Sequence, residues 1–158
     1  MLAINRLLEY QYELVDFLRT DGEKMFNYTD MIIDDSELAL VLKERSEEDN
    51  TFLISVMPSF VVSGQEDNSR WKNLLQFFIL DKTDYSEHDR DAFRNIFVTT
   101  QIKAQALVFK LLEDKSNAYG PLCGFLNMLD ENSIRVDPVW KMNGCNGWTI
   151  EINLDTPM

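Results

Sequence analysis

Few side chains in this sequence could do chemistry. His88 is the sole imidazole. A histidine can act as a general base near neutral pH, but a triad also needs a nucleophile and a group to orient the ring. His88 falls in the polar run Glu87–Arg94, where the exposed first turn of a helix is expected, and one histidine excludes a His-based metal centre. The acidic runs Asp34-Asp35, Glu47-Glu48-Asp49 and Glu66-Asp67 lack the stepped oxygens of a calcium loop and read as solvated charge. A carboxylate pair for glycoside hydrolysis would be joined only by the fold, and nothing in the sequence selects one. Gly120-Pro121-Leu122-Cys123-Gly124 lacks the Lys-Ser/Thr of a phosphate loop. Cys145 has no Lys, Arg or His beside it to lower its pKa. Trp71, Trp140 and Trp148 could stack on bases, but aromatic residues at strand ends more often form core or cross-strand pairs. No catalytic, cofactor-binding or metal-binding residue is therefore assigned, and no cofactor is expected.

The bulk composition narrows the classes further. The chain has 158 residues, the size of one domain, and a single α+β domain over 1–158 is expected. Lys and Arg number 15 against 27 Asp and Glu, a net charge of −12, with a sequence pI near 4.4. Phosphate backbones and anionic membranes call for clustered bases, so neither nucleic acid nor membrane is an expected partner. The acidic balance fits solubility, a face for a basic partner, or mimicry of a nucleic acid. The opening Met1-Leu2-Ala3-Ile4-Asn5-Arg6 lacks the pattern of a signal peptide, and no run reaches the ~20 apolar residues of a membrane span. Cys123 and Cys145 form no C-x-x-C and are expected as reduced thiols in a cytoplasmic protein.

The elements that must position any site follow from periodicity. Residues 2–19 read as an amphipathic helix with Ile4, Leu7, Leu8, Leu14, Val15 and Leu18 on one face, stopped at Asp21-Gly22. Residues 24–50 suit strand or helix, and Leu38–Lys43 is read as a strand. Phe52–Met57 reads as a strand, with Pro58 marking an edge, a bulge or an end. Trp71–Leu80, apolar on both faces, reads as its antiparallel partner in the middle of the sheet. Ser86–Lys115 is the strongest helix, with Ser86 and Asp89 resembling a capping box and a core stripe running from Phe93 to Leu111. After a loop or short helix over Asn117–Asn132, a strand starts at Ile134–Val136, breaks at Asp137-Pro138 and resumes at Trp140. Asn143–Gly147 is turn chemistry, and Trp148, Ile150, Ile152 and Leu154 then alternate with polar residues. No βαβ rhythm is visible. The expectation is an antiparallel sheet of about four to five strands with an N-terminal helix and one long central helix.

The segment Val136-Asp137-Pro138, followed by Asn146-Gly147-Trp148-Thr149-Ile150-Glu151-Ile152-Asn153-Leu154-Asp155-Thr156-Pro157, resembles small prophage-encoded structural proteins. The kind is a tail-completion or head–tail joining protein, and the layout of helix, hairpin, long helix and closing hairpin is similar. The resemblance implies a non-enzymatic assembly protein, cytoplasmic or part of a virion. Its partners would be further copies in a ring, or a tail or portal protein. It marks no residue-level site. Interface residues are therefore expected at a sheet edge near Pro58, at the far end of the long helix from Leu111 to Lys115, and in the turn Asn143, Gly144, Cys145, Asn146 and Gly147. The competing readings are a small cytosolic enzyme or ligand-binding domain with a carboxylate and aromatic pocket, and an acidic inhibitor that mimics nucleic acid.

Overall fold

The computed structural model describes residues 1–65, 68–83, 89–117 and 123–158. The expectations placed on Ser86, Glu87, His88, Glu66-Asp67 and Gly120-Pro121 lie outside the described residues. In chain order the elements are α1 (Ile4–Phe17), β1 (Arg19–Thr20), β2 (Glu23–Lys24), β3 (Tyr28–Ile32), α2 (Asp35–Glu44), β4 (Phe52–Ser63), β5 (Arg70–Lys82), α3 (Arg90–Ser116), α4 (Cys123–Leu126), β6 (Leu129–Met142) and β7 (Cys145–Pro157). The fold is α+β, with the N-terminal helix and the long central helix in the expected places. The main sheet has five strands in the order β3-β4-β5-β7-β6, and β5 is its central strand.

One expectation from periodicity is overturned by the structure. Leu38–Lys43 is not a strand but part of α2. Asp34 caps this helix, its carboxylate accepting from the backbone N–H of Ser36 at 2.8 Å and Glu37 at 3.2 Å. Of the apolar run Leu38-Ala39-Leu40-Val41-Leu42, only Leu38 and Leu42 are fully buried, which is the i, i+4 spacing of a helix. The main sheet is mostly antiparallel, as expected, with one parallel pair. Pairing of β3 with β4 is parallel, while β4–β5, β5–β7 and β6–β7 are antiparallel. A parallel neighbour requires a crossover, and α2 is that crossover, so one βαβ unit exists.

The two faces of the sheet carry separate cores. Leu53, Leu75, Phe77, Ile79, Ile150, Ile152 and Leu154 point to the face covered by α1 and α3. Phe52, Ile54, Phe78 and Leu80 point the other way, toward Leu38 and Leu42 of α2. The alternation expected for β7 holds in part: Ile150, Ile152 and Leu154 are buried and Glu151 is exposed, while Trp148 and Asn153 are half-buried and Thr149, expected on the solvent face, is buried. In α1, Leu7, Leu14, Val15 and the following Leu18 are buried as expected, but Ile4 is exposed. Gln11, an unpredicted core residue, fills the gap between α1 and the sheet. Its side-chain amide donates to Thr29 Oγ1 and to the backbone oxygens of Asp30 and Leu53, and its carbonyl accepts from Ser55 Oγ at 2.5 Å.

Strand β4 runs on through Pro58, with a register shift between Val56 and Ser59. The bulge places Pro58 inside, so it is buried. Likewise β6 starts at Leu129 and continues through Asp137-Pro138. Proline is tolerated there because β6 is the outermost strand. Two tight turns close hairpins by the same means. Asp21-Gly22 joins β1 to β2 and Asn143-Gly144 joins β6 to β7, all four residues with positive φ, as the right-handed twist of hairpins favours.

Candidate interface and interior polar cluster

Helix α3 is apolar on two sides. Its inner stripe of Thr100, Ala104, Leu107 and Leu111 is buried against the sheet. On the outer side Val98, Ile102 and Phe109 remain exposed by 53%, 54% and 69%. At 100° per residue these three fall within one narrow sector opposite the inner stripe. A helix that is apolar all round is ordinarily covered all round. Beside this stripe a groove of about 320 Å³ runs between α3 and the edge of the sheet, lined by Gln101, Gln105, Val108, Phe109, Val136 and Trp148. The groove exists because α3 lies over β5 and β7 and leaves the outermost strand β6 partly bare.

Aromatic packing fixes one end of the groove. Trp140 stacks on Phe97 at 6.0 Å between centroids and tilts against Phe93 at 5.3 Å. The indole N–H of Trp148 donates to the backbone oxygen of Phe97 at 3.0 Å. On the side of α3 away from the groove, Lys110 bonds Asp114 at 2.5 Å and lies over the Phe17 ring of α1 at 4.0 Å. Tyr10 donates to the same Asp114 at 2.9 Å, tying α1 to α3. Burial raises the Tyr10 phenol above its ordinary pKa, and the Asp114 carboxylate adds to the effect.

The interior polar cluster joins three elements. Thr51, just before β4, is 1% exposed, and its Oγ1 accepts from Lys103 Nζ of α3. Asp81, near the end of β5, sits beside them. Burial pushes its carboxyl above the usual range, against the pull of Thr51 and Lys103. Burial lowers Lys103, and Asp81 opposes that shift. Asp81 Oδ1 is buried without a hydrogen-bond partner among the described residues. A lysine and a carboxylate of opposed shift beside a hydroxyl could hold or pass a proton. This cluster is not legible in the sequence, because the three residues lie 22 or more positions apart and share no motif.

The expected interface residues are brought together only in part. Leu111 is fully buried in the core, because its position on α3 falls on the inner stripe. Lys115 is bound to Glu131 at 2.6 Å. Asn143 is exposed and Gly144 partly so, but Cys145, Asn146 and Gly147 are buried. They belong to β7 and not to the turn, which is only two residues long. Cys145 is a free, buried cysteine whose thiol burial pushes up to about 12. Asn146 Nδ2 donates to Thr83 Oγ1, and Asn146 Oδ1 accepts from the Lys141 N–H. Pro58 is buried, yet the edge beside it is open, since β3 pairs with β4 only as far as Val56. Sequence reasoning missed the outer side of α3. Its signal was the position of Val98, Ile102 and Phe109, which the inner stripe leaves unexplained.

Among the described residues no group of three or more His, Cys, Asp or Glu could hold a metal ion, and no helix is long and apolar enough to cross a membrane. No family model matches this chain, and no curated protein matches it.

Proposed function

We propose that this chain is a non-enzymatic assembly protein that works through protein–protein contacts, of the tail-completion or head–tail connector kind that its C-terminal strand resembles. It would act in the cytoplasm and then within a virion. The observation that supports this reading is the outer side of α3, where Val98, Ile102 and Phe109 stand exposed beside an apolar groove. Exposed apolar patches of this kind on a polar surface mark interaction sites. An aromatic side chain beside a groove is the anchor on which interfaces most depend. The test is co-expression with the tail and portal proteins of the same locus. The wild-type chain is expected to co-purify with one of them. Phe109→Asp should lose that partner at least tenfold, while Tyr12→Asp, at an exposed site on α1, should keep it.

A second reading, a ligand-binding or catalytic domain, is favoured by Asp81, whose carboxylate keeps a buried oxygen with no hydrogen-bond partner among the described residues, beside Lys103 and Thr51. Turnover of a metabolite that Asp81→Asn abolishes and Phe109→Asp spares would support it over assembly.

A further inference from the structure

We infer that two copies of this chain pair edge to edge through Ser59–Ser63 of β4, antiparallel about a twofold axis at Val61, so that their sheets join into one. The inference does not use the α3 face and stands apart from the assembly reading. Strand β3 pairs with β4 only from Phe52 to Val56, whereas β5 pairs with it on to Ser63. Beyond Val56 the outer edge of β4 therefore has no neighbouring strand, and among the described residues no backbone group of another segment bonds it. Ser59, Val61 and Val62 are exposed there. An edge of unpaired N–H and C=O groups is a template for one more strand, so the occupant is an extended backbone.

The residues of this edge select that backbone. Ser59-Phe60-Val61-Val62-Ser63 is close to self-complementary when run against itself. With Val61 opposite Val61, Ser59 meets Ser63 and Phe60 meets Val62. Directly opposed residues share a face, so the valine pair lies on one face and two phenylalanine–valine pairs on the other. Aromatic and β-branched pairs of this kind stabilise antiparallel ladders. Leu74, opposite Ser59 on β5, is exposed on the same face as Val61, so the two copies form one apolar strip there. Charge favours the same partner. Residues 50–65 contain no Asp, Glu, Lys or Arg, the longest such stretch in a chain of −12. Two acidic molecules can meet on this edge without setting carboxylate against carboxylate. The nearest charges in the ladder, Arg70 and Lys72, lie opposite Ser63 and Val61 on β5. Across the joined sheet Lys72 of one copy and Lys72 of the other are three strand spacings apart, roughly 14 Å, well beyond the screening length of about 8 Å at physiological salt. The outer strand at the opposite edge differs. Strand β6 carries Glu131, Arg135, Asp137, Pro138 and Lys141, the charges and proline that keep an edge from pairing.

The test is sedimentation of the whole chain over a concentration series, with circular dichroism to check that each variant folds. The wild type is expected to form a dimer. Val61→Lys and Val61→Glu, at an exposed site, each set like charges face to face at the axis and should weaken association by roughly tenfold or more. Mixed in equal amounts the two variants should recover it, because opposite charges then face each other. Recovery requires position 61 to meet position 61, so a mixture no tighter than its components would overturn the inference. A wild type that stays monomeric throughout, or a Val61→Lys variant that associates like the wild type, would overturn it as well. Amide hydrogen exchange at Ser59–Ser63 should slow as protein concentration rises, and unchanged exchange there in a dimer would place the contact elsewhere. Phe109→Asp should leave this dimer intact, and its loss would also count against the edge. A chain that fails to dimerise would still co-purify with a tail or portal protein if the assembly reading is right, so the two can fail separately.

Discussion

Gln11 carries more of the structure than its residue type suggests. It is buried between α1 and the β3–β4 pair, and each of its side-chain atoms is matched by a polar atom of Thr29, Asp30, Leu53 or Ser55. Gln11→Leu keeps the volume and removes the matches, leaving the Ser55 hydroxyl without its partner in the core. A loss of about 2–3 kcal/mol is expected in urea denaturation, the usual penalty for stranded buried polar groups. Such a residue is hard to read in a sequence. Its position on the inner face of α1 is periodic, but glutamine there looks like a surface residue. Cys145 misleads in the other direction. Its place next to Asn143-Gly144 suggests an exposed tip, yet the two-residue turn returns it to β7, where it is buried under Val139 and α2. Its thiol should resist alkylation in the native protein and react on unfolding. The raised pKa also has a sign. The unfolded thiol ionises near 9.0 and the folded one near 12, so the thiol's contribution to stability is full below pH 9 and is lost as pH rises through that window. The decline should approach about 1.4 kcal/mol per pH unit. Comparing wild type with Cys145→Ala between pH 8 and pH 11 isolates it, and equal slopes would refute the burial argument.

Elements were legible where one periodicity dominated. The alternation Trp148, Ile150, Ile152, Leu154 identifies β7 because its other face is polar, and Arg90–Ser116 has helical spacing over its whole length. Helix α2 was illegible because five consecutive apolar residues carry no period at all, and only Asp34 with its capped N–H groups decides for helix. With α2 misread, the crossover and the parallel pair went with it. The outer side of α3 was likewise hidden, since the inner stripe already accounted for a helix. Strand β7 depends on one glycine. A Cβ on Gly147 would lie 2.0 Å from the backbone oxygen of Ile79 on the neighbouring strand. Since that atom belongs to the central strand β5, it cannot step aside cheaply. Gly147→Ala should therefore destabilise by about 3 kcal/mol or more, measured by urea denaturation. Gly144→Ala, in open space but at φ +81°, should cost only the strain of the turn, about 1 kcal/mol. The pair separates a packing requirement from a conformational one within a single hairpin.

Across the whole molecule, charge is the largest imbalance. The net −12 is concentrated in part over residues 34–49, while α3 is slightly basic. Opposing this repulsion are ion pairs that are mostly solvent-exposed, such as Arg6–Glu9, Lys24–Asp16 and Arg94–Asp91. Exposed pairs of this sort are worth at most about 1 kcal/mol each. The better-sheltered Lys110–Asp114 pair is the exception. Raising sodium chloride from about 10 mM to about 150 mM shortens the screening length from roughly 30 Å to 8 Å. It should weaken the repulsion among the many acids more than the attraction within the few exposed pairs. Thermal unfolding of dilute protein at neutral pH is therefore expected to shift upward with salt by a few degrees, at about 2–4 °C per kcal/mol for a chain of this length. Glu48→Lys, at an exposed position in the acidic segment, should reproduce part of that gain at low salt. The gain should shrink at about 150 mM, because screening removes the repulsion that the substitution relieves. A melting temperature that falls with salt would mean the ion pairs outweigh the repulsion. A Glu48→Lys effect that ignores salt would mean that the substitution acts through packing and not through charge.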